Sequence, residues 1–475
     1  MRTIPLLVLF AAAPAARAET TYLGLFLQGN KIGYSSFSSA PTHFGGKVAV
    51  RNDGTTLMDA GLLGTAMRIE MTSSSWTTPG GSPLKMNFKM TSGGRSQTVQ
   101  ALFRNGRVEA TIDNSGQKSR KSLAMPKGAQ VVDDPMTLVI NGQMKPGTSR
   151  VFYVLDPTTV SFIKNDVKLV GKSKAVVNGR SVDATLLEIA DPRATMKVYM
   201  GAKGDLIRVD GPMGIEMYPV SRAIALGKSA KYQPSVDLAF ATSIKTDKPI
   251  DDPAHVTGLK LRIVGRDLSH IPSGDYQTVK RDGENWTVDV HPFPISSDPG
   301  GSIQNARKSE PEWAKPGMNI PSSSPRFVSL ARQVVGKKTD VHSAAFAIRQ
   351  YVYQTMKPNA GIGVLRDATE VLDSKEGVCR DYAVLTATLL RAAGIPARLA
   401  SGLVNWDGTF YYHAWAEAWD GRHWVGIDST SDDNQISAAH VKLGEGSVED
   451  AFAFTFLDKA KIEVLDARRD KKGGE

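Results

Sequence analysis

The distribution of apolar and polar positions divides the chain into parts of different periodicity. Before residue 291, many short stretches alternate apolar and polar residues or are rich in β-branched residues, which is typical of strands. Two-residue turn signals separate several of them, at Gly29-Asn30, Asn105-Gly106 and Asn178-Gly179. Hairpins in series predict an antiparallel β domain over residues 19–245, as a half-barrel or sandwich. Residues 246–290 are predicted to add further strands.

Helical periodicity begins near residue 325, where apolar residues recur at i, i+3, i+4 and i+7. Caps and breakers predict helices from Pro325 to Gly336, from Thr339 or Asp340 to just before Pro358, and from Cys379 to Gly394. Strands are then expected at about 397–405, 409–419 and 422–428. Helices followed by adjacent strands predict an α+β fold, with helices packed beside an antiparallel sheet over residues 325–465.

Two segments have the composition of connections. Residues 291–324 are rich in proline and include Gly300-Gly301, so a linker is predicted there, and residues 466–475 form a charged tail. The segment from about Pro321 to the C-terminus has its own helical stripes and its own hairpin. We therefore expect this segment to fold on its own.

The N-terminus has the pattern of a secretory signal. Arg2 precedes an apolar run from Ile4 to Ala13 and the small-residue site Ala16-Arg17-Ala18. Cleavage is expected after Ala18, which would make residues 1–18 a signal peptide and the protein periplasmic or secreted. The apolar run is shorter than the roughly 18 residues of a membrane-spanning helix. The exported chain is therefore expected not to span a membrane.

Composition narrows the classes of partner. The chain of 475 residues has a formal net charge of +10 at pH 7 and is 41% hydrophobic, which is ordinary for a globular protein. Its basic residues are not clustered with aromatic ones, so the charge favours affinity for an anionic envelope surface over nucleic-acid binding. The sequence contains no metal-ligand cluster and no phosphate-binding loop, and so no metal or cofactor is predicted.

Cys379 is the only cysteine of the chain. A lone cysteine is most often a small buried hydrophobe. This one follows Gly377-Val378 at a predicted helix start, which is an unusual place for core packing, and an exported thiol is exposed to oxidation. The positive end of the helix dipole and a neighbouring cation would lower its pKa. Both considerations favour a nucleophile.

A predicted hairpin supplies the partners of the thiol. If Asp420 and Gly421 form a two-residue turn, His413 and Asp428 lie directly opposite each other. Opposed side chains have Cβ atoms about 4.5–5.5 Å apart, so the carboxylate can orient the imidazole as in a catalytic triad. The sequence therefore predicts Cys379 as nucleophile, His413 as general base and Asp428 as orienting residue.

Other polar and aromatic residues of this hairpin have simpler interpretations. His423 falls on the opposite face and is expected to be structural. Glu417 lies on the catalytic face, opposite Trp424 in the same register, and is expected to be a partly solvated carboxylate that could tune the site. Trp415 and Trp419 are expected to pack in the core, since large aromatic residues dominate protein interiors.

At these residues the chain resembles the transglutaminase-like superfamily of papain-like thiol enzymes, in its bacterial exported branch with an N-terminal β domain. The matching motifs are Gly377-Val378-Cys379-Arg380-Asp381-Tyr382-Ala383, Leu389-Leu390-Arg391-Ala392-Ala393-Gly394-Ile395-Pro396-Ala397-Arg398, His413-Ala414-Trp415 with Glu417, and Trp424-Val425-Gly426-Ile427-Asp428-Ser429-Thr430. The resemblance covers about Pro325 to Gly446. It implies a papain-like core and the same three roles for Cys379, His413 and Asp428, with the Cys379 backbone N–H as an oxyanion donor.

The resemblance implies amide acyl chemistry, in which the thiolate attacks a carboxamide or peptide carbonyl to form a thioester. Water or an amine would resolve this intermediate. Hydrolysis is favoured because water is abundant outside the cytoplasm and the sequence shows no amine site. Protein-glutamine transamidation is the close alternative, and a non-catalytic envelope-binding module with a papain-like shape is a third. The expected substrates are proteins or peptides, cell-wall peptide among them.

Overall fold

A computed structural model of the protein describes residues 20–62, 65–134, 136, 142, 144–191, 195–227, 238–293, 300–317, 319–360, 366–433, 436–451, 457 and 460–469. The predicted signal peptide lies outside these residues. The described residues divide by their contacts into two compact units. The N-terminal unit extends to Ala241, and the C-terminal unit begins at Thr242.

The described part of the N-terminal unit contains one sheet of fifteen strands, in the order β8-β7-β6-β5-β4-β3-β2-β1-β15-β14-β13-β12-β11-β10-β9. Its strands are β1 (Thr21–Leu27), β2 (Asn30–Phe44), β3 (Lys47–Leu62), β4 (Thr65–Thr77), β5 (Pro83–Ser92), β6 (Arg95–Arg104), β7 (Arg107–Asn114), β8 (Gln117–Ala124), β9 (Gln130–Val131), β10 (Ser149–Asp156), β11 (Ser161–Val177), β12 (Arg180–Ala190), β13 (Thr195–Met200), β14 (Leu206–Asp210) and β15 (Ile215–Pro219). Only the pairing of β9 with β10 is parallel among these ladders. Two short helices follow, α1 (Arg222–Leu226) and α2 (Leu238–Ala241).

The hairpins of this sheet use the turn residues that the sequence predicts, with one correction. Asn105-Gly106 and Asn178-Gly179 form two-residue loops in which all four residues have positive φ, as a type I′ turn requires. The first hairpin instead turns at Gln28-Gly29, since Asn30 already pairs with Leu27. The Gly29-Asn30 prediction was therefore wrong by one residue.

The sheet buries alternate residues on one face, and its two halves also contact each other through side chains. In β6 the buried positions are 97, 99, 101 and 103. Asn52 Nδ2 donates to Asp133 Oδ2 at 3.3 Å, and Gln97 Nε2 donates to the Thr158 carbonyl at 3.2 Å. The predicted antiparallel β region is confirmed as one large sheet.

The C-terminal unit combines helices with two main sheets. Its helices are α3 (Ile303–Ser309), α4 (Pro325–Val335), α5 (Val341–Thr355), α6 (Ala368–Ser374), α7 (Cys379–Ala392) and α8 (Val448–Ala451). Its strands are β16 (Ile244–Lys245), β17 (Gly258–Val264), β18 (Gln277–Asp282), β19 (Asn285–Val290), β20 (Lys357–Pro358), β21 (Glu376–Gly377), β22 (Ala397–Trp406), β23 (Thr409–Trp419), β24 (Trp424–Ile427), β25 (His440–Gly446) and β26 (Lys461–Arg468). The predicted α+β fold class is confirmed.

Two cores hold this unit together. Helices α4, α5 and α7 bury Phe327, Ile348 and Leu385 against small residues of β23 such as Ala416. The second core lies between the sheets and includes Leu261 of β17 and Phe410 of β23. The five-stranded sheet has the order β16-β23-β22-β25, with β24 on β23, and the four-stranded sheet has the order β18-β19-β17-β26.

The structure adds two features to the sequence-based picture of this unit. The proline-rich segment contains α3, which begins at the N-cap Ser302 and buries Ala306 in the helical core. Strand β17 pairs with β26, so strands before and after the helices share one sheet. No helix in the described part of the chain is both long and apolar enough to cross a membrane.

Candidate active site

Cys379 is the first residue of α7. The preceding Val378 N–H donates to the carboxylate of Asp381 at 3.0 Å, so a residue of the first helical turn caps the N-terminus of the helix. A Cβ on Gly377 would lie 2.5 Å from the Asp381 Cβ, so only glycine allows this close approach. The thiol is partly buried and points from the positively polarised end of a 14-residue helix.

His413 lies on β23 and contacts both other predicted site residues. Its ring and the Cys379 thiol shift each other's pKa, and its Nε2 donates to Asp428 Oδ2 at 2.7 Å. Its neighbour on β22 is Gly402, where a Cβ would lie 1.9 Å from the Val441 carbonyl oxygen of β25. The structure therefore brings together the three residues that the sequence nominated.

The predicted hairpin register was wrong, although the pair that it suggested exists. Trp419 pairs with Trp424 and Ala416 with Ile427, so the loop has four residues, 420–423, and the register differs by two positions. The Asp420 carboxylate accepts the N–H groups of Arg422 and His423, both at 2.7 Å, which stabilises the longer loop. Asp428 comes one residue after β24 and reaches His413 from beyond the strand end.

The carboxylate of Asp428 accepts hydrogen bonds on both oxygens. Oδ1 accepts the Thr430 N–H at 2.9 Å and the Thr430 hydroxyl at 2.8 Å. Oδ2 faces His413 and also His440 Nε2, which lies 3.3 Å away. Arg349 of α5 donates to the carbonyls of Ser431 and Asp432, and so it fixes the segment that follows Asp428.

Sequence reasoning missed His440 and Arg349. His440-Val441-Lys442-Leu443 alternates polar and apolar residues, which is the signal that could have identified β25 and placed His440 on one of its faces. Arg349 had no comparable signal, because arginine side chains are mostly exposed and the sequence gives no reason to expect this one to be buried.

The three residues shift one another's pKa values. Burial alone would raise the pKa of Cys379, but the hydrogen bond and charge of His413 outweigh it and the net shift is downward. Burial would lower the pKa of His413, but Asp428 and then Cys379 raise it to about 10. Burial disfavours the charged Asp428, yet His413 and His440 hold its pKa well below the usual range. These shifts favour a thiolate–imidazolium pair over a neutral thiol and imidazole.

Glu417 is buried, which corrects the expectation of a partly solvated carboxylate. It pairs with Gly426 and not with Trp424. Arg398 Nε lies 2.6 Å and Lys442 Nζ 3.0 Å from its oxygens. Burial would raise the pKa of Glu417, but these two cations lower it. Glu417 is therefore the buried carboxylate of an ionic cluster that the exposed Asp275 and the half-buried Glu445 complete.

The remaining hairpin residues take packing positions. Trp415 is fully buried against Ala400 and Ile436. Trp419 donates to the Ser309 hydroxyl at 2.8 Å. His423 stacks on Phe293 with ring centroids 4.1 Å apart.

Two groups of side chains in the described residues bring potential ligand atoms within 4.8 Å of one another. In Asp275, Glu417 and Glu445, the Lys442 ammonium contacts all three carboxylates and takes the position that a cation would need. In His413, Asp428 and His440, the ring nitrogens and the carboxylate already satisfy one another. In both groups, the hydrogen bonds and ion pairs among the side chains explain why the potential ligand atoms lie close together.

This part of the chain is similar to proteins of known families. Residues 328–429 match the family model of the transglutaminase-like superfamily. An uncharacterized protein of Mycobacterium tuberculosis H37Rv is 33% identical over 110 residues, which cover 20% of this chain and 33% of that protein. A protein-glutamine gamma-glutamyltransferase of Pseudomonas aeruginosa is 33% identical over 170 residues, which cover 32% of this chain and 24% of the relative.

The match therefore spans about a third of the mycobacterial protein and about a quarter of the Pseudomonas enzyme. Among solved structures, a candidate cysteine protease from Cytophaga hutchinsonii is 18% identical, with a TM-score of 0.33. That alignment covers 49% of this chain and 90% of the other.

Proposed function

Residues 328–429 of the chain belong to the transglutaminase-like superfamily, and from this premise we propose that the protein is an exported thiol enzyme acting on amide or peptide bonds. Cys379, His413 and Asp428 are the proposed nucleophile, general base and orienting residue. One observation carries the proposal: His413 donates through Nε2 to the Asp428 carboxylate at 2.7 Å, while the Cys379 thiol and the His413 ring shift each other's pKa. Binding alone requires no such arrangement.

The first step of the proposed reaction forms a thioester. The Cys379 thiolate attacks the carbonyl carbon, and the new C–S bond leaves an oxyanion in reach of the Cys379 backbone N–H at the helix start. The C–N bond then breaks as His413 gives its proton to the departing nitrogen. Asp428 holds the ring and stabilises its charged form before the transfer.

The second step returns the enzyme to its starting state. Water attacks the thioester while neutral His413 takes a proton from it, and the C–S bond breaks to release a carboxylic acid and the thiolate. A primary amine in place of water would give a new amide. We favour hydrolysis, since water is the abundant acceptor outside the cytoplasm. The name of the Pseudomonas relative keeps protein-glutamine transamidation as the second candidate.

The proposed location is the periplasm or the extracellular space, on the basis of the N-terminal signal pattern. The proposed substrates are proteins or peptides, and the net basic charge suits an anionic envelope surface.

The proposal is tested by chemical labelling followed by turnover. Iodoacetamide is expected to modify Cys379 at neutral pH, with mass mapping of the labelled peptide. A panel of peptide amides and glutamine-containing peptides is then assayed for ammonia or amine release, with and without an added primary amine. Cys379→Ser is expected to abolish release.

A control within the same hairpin separates loss of chemistry from loss of structure. His423 is 44% exposed at its side chain and stacks on Phe293, so His423→Ala should keep wild-type turnover, whereas His413→Ala should lose it. A wild-type phenotype for Cys379→Ser, in a strain where gene deletion has a clear defect, would refute the enzyme and favour a binding module.

A further inference from the structure

A second histidine shares the carboxylate that orients His413. His440 Nε2 lies 3.3 Å from Asp428 Oδ2, the same oxygen that accepts from His413 at 2.7 Å. His440 is 8% exposed. A polar ring this deeply buried needs partners, and the carboxylate is one of them.

Strand register fixes the two histidines relative to each other. His413 of β23 pairs with Gly402 of β22, and His440 of β25 pairs with Val404 of the same strand. The two histidines therefore flank β22 on one face, offset by two positions. Their ring centroids lie 5.7 Å apart.

The other nitrogen of His440 is held by one residue, Ser437. Nδ1 lies 3.2 Å from the Ser437 carbonyl oxygen and 3.4 Å from its hydroxyl. The carbonyl accepts from a protonated Nδ1, and the hydroxyl donates to a bare one. Ser437 can therefore pair with Nδ1 whether or not that nitrogen carries a proton, and in both cases an Nε2 that carries a proton remains free to donate to Asp428. The Trp415 ring packs edge-on at 5.4 Å and restricts rotation.

Among the described residues, the Asp428 carboxylate has four hydrogen-bond donor atoms, two from Thr430 and one from each histidine. Thr430 is only two positions away and moves with the same loop. His440 is the donor on a strand other than that of His413. It therefore ties the loop carboxylate to the sheet independently of the residue that Asp428 must orient.

We propose that His440 is a positioning residue that holds Asp428 in the orientation in which it orders and charges His413. This inference rests on the proposed function, and it gives the site a fourth side chain on β25 that the sequence motifs do not include. The contacts of His440 include Asp428, Ser437 and the ring of Trp415. Its effect passes through Asp428.

The test compares two substitutions. His440→Gln can place an amide N–H near the former Nε2, whereas His440→Ala removes the donor. We expect His440→Ala to lower kcat on the order of 10²-fold with little change in KM, because the loss is one of alignment. His440→Gln is expected to recover most of that loss. His423→Ala serves as the matched histidine control.

A second measurement does not depend on turnover. The proton on His413 Nε2, observed by NMR of ¹⁵N-histidine-labelled protein, should exchange with water faster in His440→Ala than in the wild type or His440→Gln. Slow exchange with wild-type kcat in His440→Ala would overturn the inference. If His440→Ala fails to fold, His440→Phe takes its place. A folded His440→Phe variant with the proton exchange rate and kcat of the wild type would likewise overturn the inference. Full activity of Cys379→Ser would instead refute the proposed function, and the proton exchange would still test His440.

Discussion

His413 is the residue through which the other site groups act on one another. It touches the thiol on one side and the Asp428 carboxylate on the other. Against the effect of burial, Asp428 and then Cys379 raise the pKa of His413 to about 10, and His413 in turn lowers the pKa of Cys379. Reactivity of the single thiol is therefore a property of the pair and not of the helix start alone.

The pH dependence of alkylation follows from these shifts. Iodoacetamide reacts with the thiolate, so the rate in the wild type should reach half its maximum below pH 8.5, the approximate pKa of a free cysteine. His413→Ala removes the stabilising cation and leaves burial, which raises the pKa of Cys379. Its midpoint is expected above 8.5. A wild-type midpoint near 8.5 would contradict the catalytic assignment.

Asp428→Asn should lower kcat strongly while changing the thermal stability little. Asp428→Asn keeps the shape of the side chain, but its amide favours the wrong tautomer of His413. Triads lose about 10⁴-fold in turnover on such a change. The measurement is kcat on the best peptide amide, with thermal unfolding to show that the fold persists. Turnover within tenfold of wild type would remove Asp428 from the mechanism.

At the scale of elements, the site depends on close contacts between strands that glycine permits. Gly402 of β22 pairs with His413 of β23, and a Cβ on Gly402 would come 1.9 Å from the Val441 carbonyl oxygen of β25. A side chain at this position would therefore force β22 and β25 apart. His413 and His440 lie on either side of this contact, so its geometry sets the spacing of the two histidines.

Gly402→Ala is therefore expected to lower the free energy of unfolding by about 1–3 kcal/mol, as overpacking does, and to lower turnover as well. Urea denaturation and kcat measure the two effects. Gly80→Ala is the matched control, because that glycine has no atom closer than 3.8 Å to its added Cβ. Equal stability of the two variants would show that β25 adjusts at no cost.

At the scale of the whole molecule, the C-terminal unit begins earlier than its helices do. Strand β17 pairs with β26, and Leu259 and Leu261 of β17 share a core with Phe410 of the five-stranded sheet that carries His413. Helix α3 adds Ala306 to the other core. A fragment from Pro321 contains every proposed catalytic residue, and its sequence pattern suggests that it folds alone. It lacks both of these contributions, however, and so the structure revises that expectation.

We expect a fragment starting at Thr242 to fold cooperatively and to keep a reactive Cys379. A fragment starting at Pro321 should expose the second core and bind the hydrophobic dye ANS, since each large apolar side chain left uncovered costs about 1.5–3 kcal/mol. Circular dichroism, ANS fluorescence and iodoacetamide labelling distinguish the two. Native-like unfolding of the shorter fragment would show that α3 and β17–β19 are dispensable.

Local patterns of the sequence determined the elements and nominated the chemistry. Apolar stripes, with Thr339 or Asp340 as the second helix's cap, predict α4 and α5 close to their observed bounds, because helix periodicity and capping involve residues within one or two turns. The lone Cys379 at a helix start, followed by His413 and Asp428 on a hairpin, was sufficient to propose the three roles. Each of these signals is carried by neighbours in the chain.

Only the tertiary structure decided the register, the ionic state of Glu417 and the place of His440. The Asp420 carboxylate stabilises a four-residue loop where Asp-Gly suggests two, and it also faces His342 of α5 at 3.1 Å. Glu417 is buried because Arg398 and Lys442 arrive from β22 and β25. These outcomes depend on partners far away in the chain, and a periodic pattern contains no information about which distant strand lies alongside.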